Sequence, residues 1–178
     1  MVGAMQGLGA MQGLGAMQDW ELRVSMLVDH AAKEYGTREV VTRWADGGDT
    51  RTNWGQIRKD ALKMVQALRR LGIQPGDRVA TLAMSHSRHL VTWFGVTGAG
   101  AVLHTITPRL FDEQLDYIVN HAEDSYLLFD LTFVPLIEKL APMCKSVKGW
   151  IVMTDRAHMP QAGIPNLMCY ENLVDAQP

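Results

Sequence analysis

The chain has 178 residues, enough for one domain with a buried core, and its 47% hydrophobic and 20% charged content is ordinary for a globular protein. Lys and Arg number 17 against 19 Asp and Glu, a net charge of -2 scattered along the chain, which argues against nucleic acid or an anionic membrane surface as partner. Cys144 and Cys169 suit neither a disulfide framework nor a zinc site, no run reaches the ~18 apolar residues of a bilayer span, and no Lys or Arg precedes Arg23 to begin a secretory signal, so a cytoplasmic location is expected.

The chain starts with a repeat: GLGAMQ stands twice unchanged, at Gly7 to Gln12 and Gly13 to Gln18, after the near copy Val2 to Gln6. This short period matches neither the helical period nor known repeat architectures, and the glycines raise the entropy cost of ordering. Residues 1–16 are therefore expected to form a disordered tail, with the domain at 17–178. Leu22, Met26, Leu27, His30, Ala31 and Tyr35 then predict a first helix over Val24 to Tyr35, closed by Gly36 in a left-handed conformation. Val40 to Trp44 and Thr50 to Thr52 flank Asp46-Gly47-Gly48-Asp49 and read as a β-hairpin. Asn53 and Gln56 have capping-box spacing before a helix carrying Trp54, Ile57, Ala61, Val65, Leu68 and Leu71 on one face, ended by Gly72. Gln74 to Asp77 predicts a type II turn with Gly76 at positive φ.

Strand and helix then alternate. Val79 to Met84 predicts a strand, and Ser85 or Ser87 caps a helix reaching about Thr97. Ala101 to Ile106 is a second strand, Asp112 to His121 a helix, Ser125 to Asp130 a third strand, Phe133 to Leu140 a helix and Gly149 to Met153 a fourth strand. The continuous apolar strands imply an α/β fold, a mostly parallel sheet flanked by helices, with an N-terminal helix and β-hairpin in front. Past Thr154 the pattern reads as loop, with a last short helix near Tyr170.

Few residues advertise chemistry. Gly95, Gly98 and Gly100 in GVTGAG close a helix and precede a strand, the reverse of a dinucleotide fingerprint, so helix-to-sheet packing and a helix cap are expected of them. His86 and His89 have a metal-ligand spacing, but no third ligand is near and Arg88 between them repels a cation. His104 is expected in the core or at a cap, His121 as a cation at a helix end, and Cys144 has no partner histidine in local sequence. Asp130 ends a strand, where open α/β sheets place ligand groups; capping the next helix explains it equally.

The stretch TNWGQIRKDALKMVQALRRLGIQPGDRVATLAMSHSRHLVTWFGVTGAGAVLHTITPRLFDEQLDYIVNHAEDSYLLFD, Thr52 to Asp130, resembles the N-terminal portion of adenylate-forming (AMP-binding) acyl-CoA synthetases. VLHTITPRLF, IVNHAED, DLTFVPL and TDRAHMP are similar to the bacterial branch of fatty-acyl-CoA and 3-methylmercaptopropionyl-CoA ligases, from about Met17 to the C-terminus. Thr107 stands where that family usually has Asn before PRL, a loop variation. The resemblance implies an enzyme that uses ATP and magnesium to convert a carboxylic acid to an acyl-adenylate, then makes a thioester with CoA. It also implies a Ser/Thr/Gly-rich phosphate loop ending in Pro-Lys-Gly, absent from these 178 residues, so no catalytic, cofactor-binding or metal residue carries over. The expectation is an N-terminal fragment, inactive alone, that supplies scaffold, part of the acyl-pocket wall and a homodimer surface. The alternatives are a free-standing α/β module holding a nucleotide or CoA, and an interaction partner of the full-length ligase.

Overall fold

The computed structural model describes residues 21–44 and 48–178. The tail expected over 1–16 lies outside them, as do Asp46 and Gly47 of the hairpin turn. Helix α1 (Ser25–Tyr35) leads into the antiparallel pair β1 (Glu39–Arg43) and β2 (Asp49–Asn53), and Gly48 at φ 81 helps turn the hairpin. Gly36 does not take the expected left-handed conformation: its φ of -53 continues the helical sense, and the chain is held instead by its carbonyl accepting from the Gly55 N–H.

Helix α2 (Trp54–Arg70) begins at Asn53, whose side chain accepts from the Gln56 N–H at 2.8 Å. Only half of the expected capping box forms, because the Gln56 amide donates forward to Asp60. The turn after it is as expected, with Gly76 at φ 90 and the Asp77 N–H bonded to Gln74 O. Then follow β3 (Arg78–Leu82), α3 (Ser87–Gly98), β4 (Val102–Thr105), α4 (Asp112–Ala122), β5 (Tyr126–Phe129), α5 (Val134–Leu140), β6 (Gly149–Val152), β7 (Leu167–Cys169) and α6 (Tyr170–Asp175).

The second sheet is parallel in the order β4-β3-β5-β6-β7. It has one strand more than the sequence pattern shows: β7 falls in a segment read as loop. Three residues carry too little periodicity to register, and the strand is set by Asn166, at φ 49, which turns the chain so that its carbonyl accepts from the Trp150 N–H. Alternate strand residues feed two cores, as the period of two requires. Val79, Leu128 and Ile151 pack under α1, α2, α3 and α6 with Ile57, Met64, Leu68 and Phe94. Ala80, Leu82, Leu127, Phe129, Trp150 and Val152 pack under α4 and α5 with Leu115, Val119, Ile137 and Leu140.

Of the two roles expected for the glycines of GVTGAG, the helix cap forms as expected and the packing contact is a different one. A Cβ on Gly95 would stand 2.4 Å from Met64 Cγ, so Gly95 lets α3 approach α2 rather than the sheet, and Gly100 at φ 81 ends α3. Topology then fixes where a site belongs. From β3 the chain runs through α3 on one face to β4, and from the adjacent β5 through α5 on the other face to β6. The connections diverge at the carboxyl ends of β3 and β5, which opens a crevice of the kind that holds ligands in open α/β sheets.

Candidate functional site

Asp130 follows β5 directly and lies in that crevice. Its Oδ2 accepts the Met84 N–H at 2.7 Å and its Oδ1 lies 2.7 Å from His86 Nε2. It makes no side-chain cap bond to the 3-10 turn Leu131–Phe133 after it, so the capping role expected of it is not the one it performs. The carboxylate instead joins the ends of β3 and β5, and capture of the Met84 N–H ends β3 two residues short of the expected Met84.

The cap of α3 is likewise neither Ser85 nor Ser87. His86 takes that place: its Nδ1 accepts from the His89 N–H at 3.1 Å. Because Nδ1 is an acceptor, the ring hydrogen sits on Nε2 and is donated to Asp130. His89 is engaged just as fully, with Nδ1 3.1 Å from Met84 O and Nε2 3.1 Å from Thr81 Oγ1, and burial lowers its pKa. Metal ligation by this pair would break existing bonds. Among the described residues no group of three or more His, Cys, Asp or Glu is arranged to hold a metal ion.

The hairpin completes the arrangement. The Trp44 ring stacks on His86 with centroids 5.3 Å apart, and the Ser87 N–H donates to Thr42 Oγ1 at 3.0 Å. Two donors at the start of α3 are thus committed to protein, those of Ser87 and His89, and the crevice works as a lock between hairpin, helix and sheet. Beside it runs an open groove of about 430 Å3, lined by Val40, Val41, His86, Leu90, Trp93 and Thr105 among others, with no Lys or Arg in its wall. Such a wall suits an apolar segment better than a phosphate.

The other candidates lie apart from this crevice. His104 is only partly buried on β4, and its Nδ1 stands 2.7 Å from Oδ2 of Asp124, a fully buried carboxylate. Burial raises the Asp124 pKa against the opposing effect of His104, and Asp124 Oδ1 has no hydrogen-bond partner among the described residues. His121 sits in the last turn of α4 as expected and stacks on Tyr117. Cys144 is buried, which pushes its thiol up to about 12 and keeps it protonated at neutral pH. Sequence reading missed Thr42, Trp44 and Asp124 as partners. Thr42 and Trp44 gave no local signal, whereas an aspartate before an apolar strand, as in HAED, is a cue that was available.

Likeness to known proteins extends over most of the chain. A family model described as AMP-binding enzyme matches residues 28–169. A 3-methylmercaptopropionyl-CoA ligase from Ruegeria lacuscaerulensis is 46% identical over 154 residues, covering 86% of this chain and 29% of that protein. A medium-chain-fatty-acid–CoA ligase from Ectopseudomonas oleovorans is 42% identical over 154 residues, with 86% of this chain and 28% of the relative covered. A long-chain-fatty-acid–CoA ligase from Thermus thermophilus is 43% identical over 139 residues, with 78% and 26% covered. Among solved structures, coronafacic acid ligase from Pectobacterium brasiliense superposes with a TM-score of 0.76 at 13% identity, over 88% of this chain and 30% of that one. An anthranilate CoA ligase in complex with anthranoyl-AMP gives 0.70 at 22% identity, over 85% and 28%, and both likenesses speak to fold alone.

Proposed function

Since the chain belongs to the AMP-binding enzyme family, we propose that it supplies the N-terminal portion of an acyl-CoA ligase of the fatty-acyl-CoA and 3-methylmercaptopropionyl-CoA branch. The observation that carries this reading is identity of 42–46% sustained over some 154 residues. The chain spans less than a third of the length of those relatives. In the whole enzyme the acid's carboxylate attacks the α-phosphate of ATP, with magnesium, and releases pyrophosphate. The CoA thiol then displaces AMP from the acyl-adenylate to give the thioester. The share of this work assigned to the present chain is scaffold: the His86–Asp130 lock holds the carboxyl ends of β3 and β5 and the start of α3 in fixed relation. Acid, ATP and CoA are partners of the complete enzyme, and a cytoplasmic location, a tail over 1–16 and a ligase portion over 17–178 belong to the same proposal.

Purified chain incubated with a fatty acid or 3-methylmercaptopropionate, ATP, magnesium and CoA is expected to form no thioester. Acyl-CoA above a protein-free blank would overturn the scaffold assignment. Calorimetry with ATP, AMP and CoA addresses the free-standing binding module: tight binding of any of them by this chain favours that alternative. The groove wall, which holds no Lys or Arg and whose two histidines are already hydrogen-bonded to protein, predicts no such heat there.

A further inference from the structure

Asp124 is a fully buried carboxylate, and the turn that carries it is held from several sides. Glu123 at φ 53 ends α4, the Asp124 N–H donates to Val119 O at 3.2 Å, and Arg78 Nε, from the start of β3, donates to Ala122 O at 2.6 Å. The Asp124 side chain has Oδ2 2.7 Å from His104 Nδ1 and Oδ1 without a hydrogen-bond partner among the described residues. An ionised carboxylate there makes one bond where its two oxygens could accept several, so its charge is poorly compensated. His104 meets it from β4. Leu103 packs on one core and Ile106 on the other, which puts His104 on the α4 side of the sheet, and its bond to Asp124 passes β3 to reach the approach to β5. Strand β4 is thus tied twice, to β3 by the ladder and to the α4–β5 turn by this side-chain brace.

Among the described residues no basic group other than His104 bonds to Asp124. Arg78 on β3 acts on it only from a distance, with its guanidinium committed to the carbonyls of Gly76, Ala122 and Glu123 and to the Glu123 carboxylate. On α4, Asp116 accepts from Asn120 and His121 stacks on Tyr117. After α5, the Cys144 thiol is protonated at neutral pH, and Lys145 and Lys148 are exposed. His104 is therefore the group through which a proton can neutralise the carboxylate: its side chain is 26% exposed and that of Asp124 not at all. We propose that His104 and Asp124 bind one proton as a unit, and that this proton tightens the brace between β4 and the α4–β5 turn as the solution becomes acidic. The brace survives uptake. A proton entering at Nε2 leaves the pair as imidazolium and carboxylate or as imidazole and carboxylic acid, each with a hydrogen between Nδ1 and Oδ2. What the proton removes is the uncompensated buried charge. Because burial raises the Asp124 pKa, the folded chain holds this proton more tightly than the unfolded one. The added hold on β4 is then present in acid and lost as pH rises through the folded-state value, opposite in sign to an ion pair that breaks when its carboxylate is protonated.

Two NMR measurements on the full chain test this. In the first, the ring 15N resonances of His104 and the carboxyl 13C resonance of Asp124 are followed from about pH 8 to about pH 5, where histidine side chains ordinarily exchange a proton. They are expected to move together with one midpoint, as a coupled pair does. Separate midpoints, or a carboxyl carbon that stays still while the ring titrates, would overturn the proposal, and this measurement needs no variant. The second is amide hydrogen exchange, corrected for the pH dependence of the intrinsic rate. It compares the Val102 and Ile106 amides, which donate to Asp77 O and Thr81 O at the two ends of β4, with the Met153 amide, which donates to Phe129 O beyond β6. Protection of the β4 amides relative to Met153 should rise about threefold or more toward acid in wild type. In Asp124→Asn, which keeps the shape of the side chain and removes its titration, the ratio should stay flat. A wild-type ratio that is flat or falls in acid, or a rise that persists in Asp124→Asn, would contradict a proton-operated brace.

Discussion

His86 shows how one side chain becomes the junction of three elements. It caps α3 through Nδ1, meets Asp130 through Nε2 and lies against Trp44, with its side chain almost wholly removed from solvent. Asp130→Ala would leave the Met84 N–H and the His86 Nε2–H without acceptors, and we expect a loss of about 2–3 kcal/mol in urea unfolding. A loss under about 0.5 kcal/mol would show that solvent replaces both bonds. At Asp124 the prediction concerns pH. Burial raises its folded-state pKa above the ordinary 3.8, so the folded state holds the proton more tightly than the unfolded one. The associated stabilisation is complete below the unfolded value and is lost as pH rises through the folded one. Asp124→Asn removes this titration, so its stability relative to wild type should rise between acid and neutral pH; a pH-independent difference would contradict the burial. Cys144, with its thiol at about 12 and buried, should react with a thiol reagent only after unfolding. The position of Asp130 at a strand end is legible in sequence, but its partner His86, 44 residues away, is not, because only the sheet order makes β3 and β5 neighbours.

Among the elements, the long and strongly periodic ones read true. Helix α2 starts at Trp54 as its apolar spacing and Asn53 cap require, and β5 and β6 sit inside their expected apolar runs. What the sequence withheld were features decided by contacts between elements. Strand β7 is short and depends on β6 for its pairing, and Gly36 keeps a helical φ while its carbonyl bonds to Gly55 at the start of α2. The α2–α3 contact is the most exacting, since the space for a Cβ at Gly95 is already filled by Cβ and Cγ of Met64. Gly95→Ala should therefore destabilise by about 1–3 kcal/mol through overpacking, although alanine is the better helix former. Pairing it with Met64→Ala should recover part of the loss relative to Met64→Ala alone, a coupling that a double-mutant cycle measures. Additive effects would mean that the two helices do not meet there.

For the molecule as a whole, the fold was legible because alternating strands and helices leave few arrangements, and right-handed parallel crossovers place α3 and α4 on opposite faces. The family was legible in long ordered stretches such as GDRVATLAM and VLHTITPRLF rather than in any catalytic residue, and the site that the topology marks is a lock of hydrogen bonds. A chain that is an interchangeable N-terminal portion of an acyl-CoA ligase should work in place of a relative's own. The direct measurement is thioester formation by the Ruegeria 3-methylmercaptopropionyl-CoA ligase in which residues 28–169 of this chain replace the matching segment. A folded chimera that makes the thioester within about tenfold of the parent, a cost of no more than ~1.4 kcal/mol in transition-state stabilisation, is the predicted result. A chimera that folds and binds ATP but forms no acyl-CoA would contradict it.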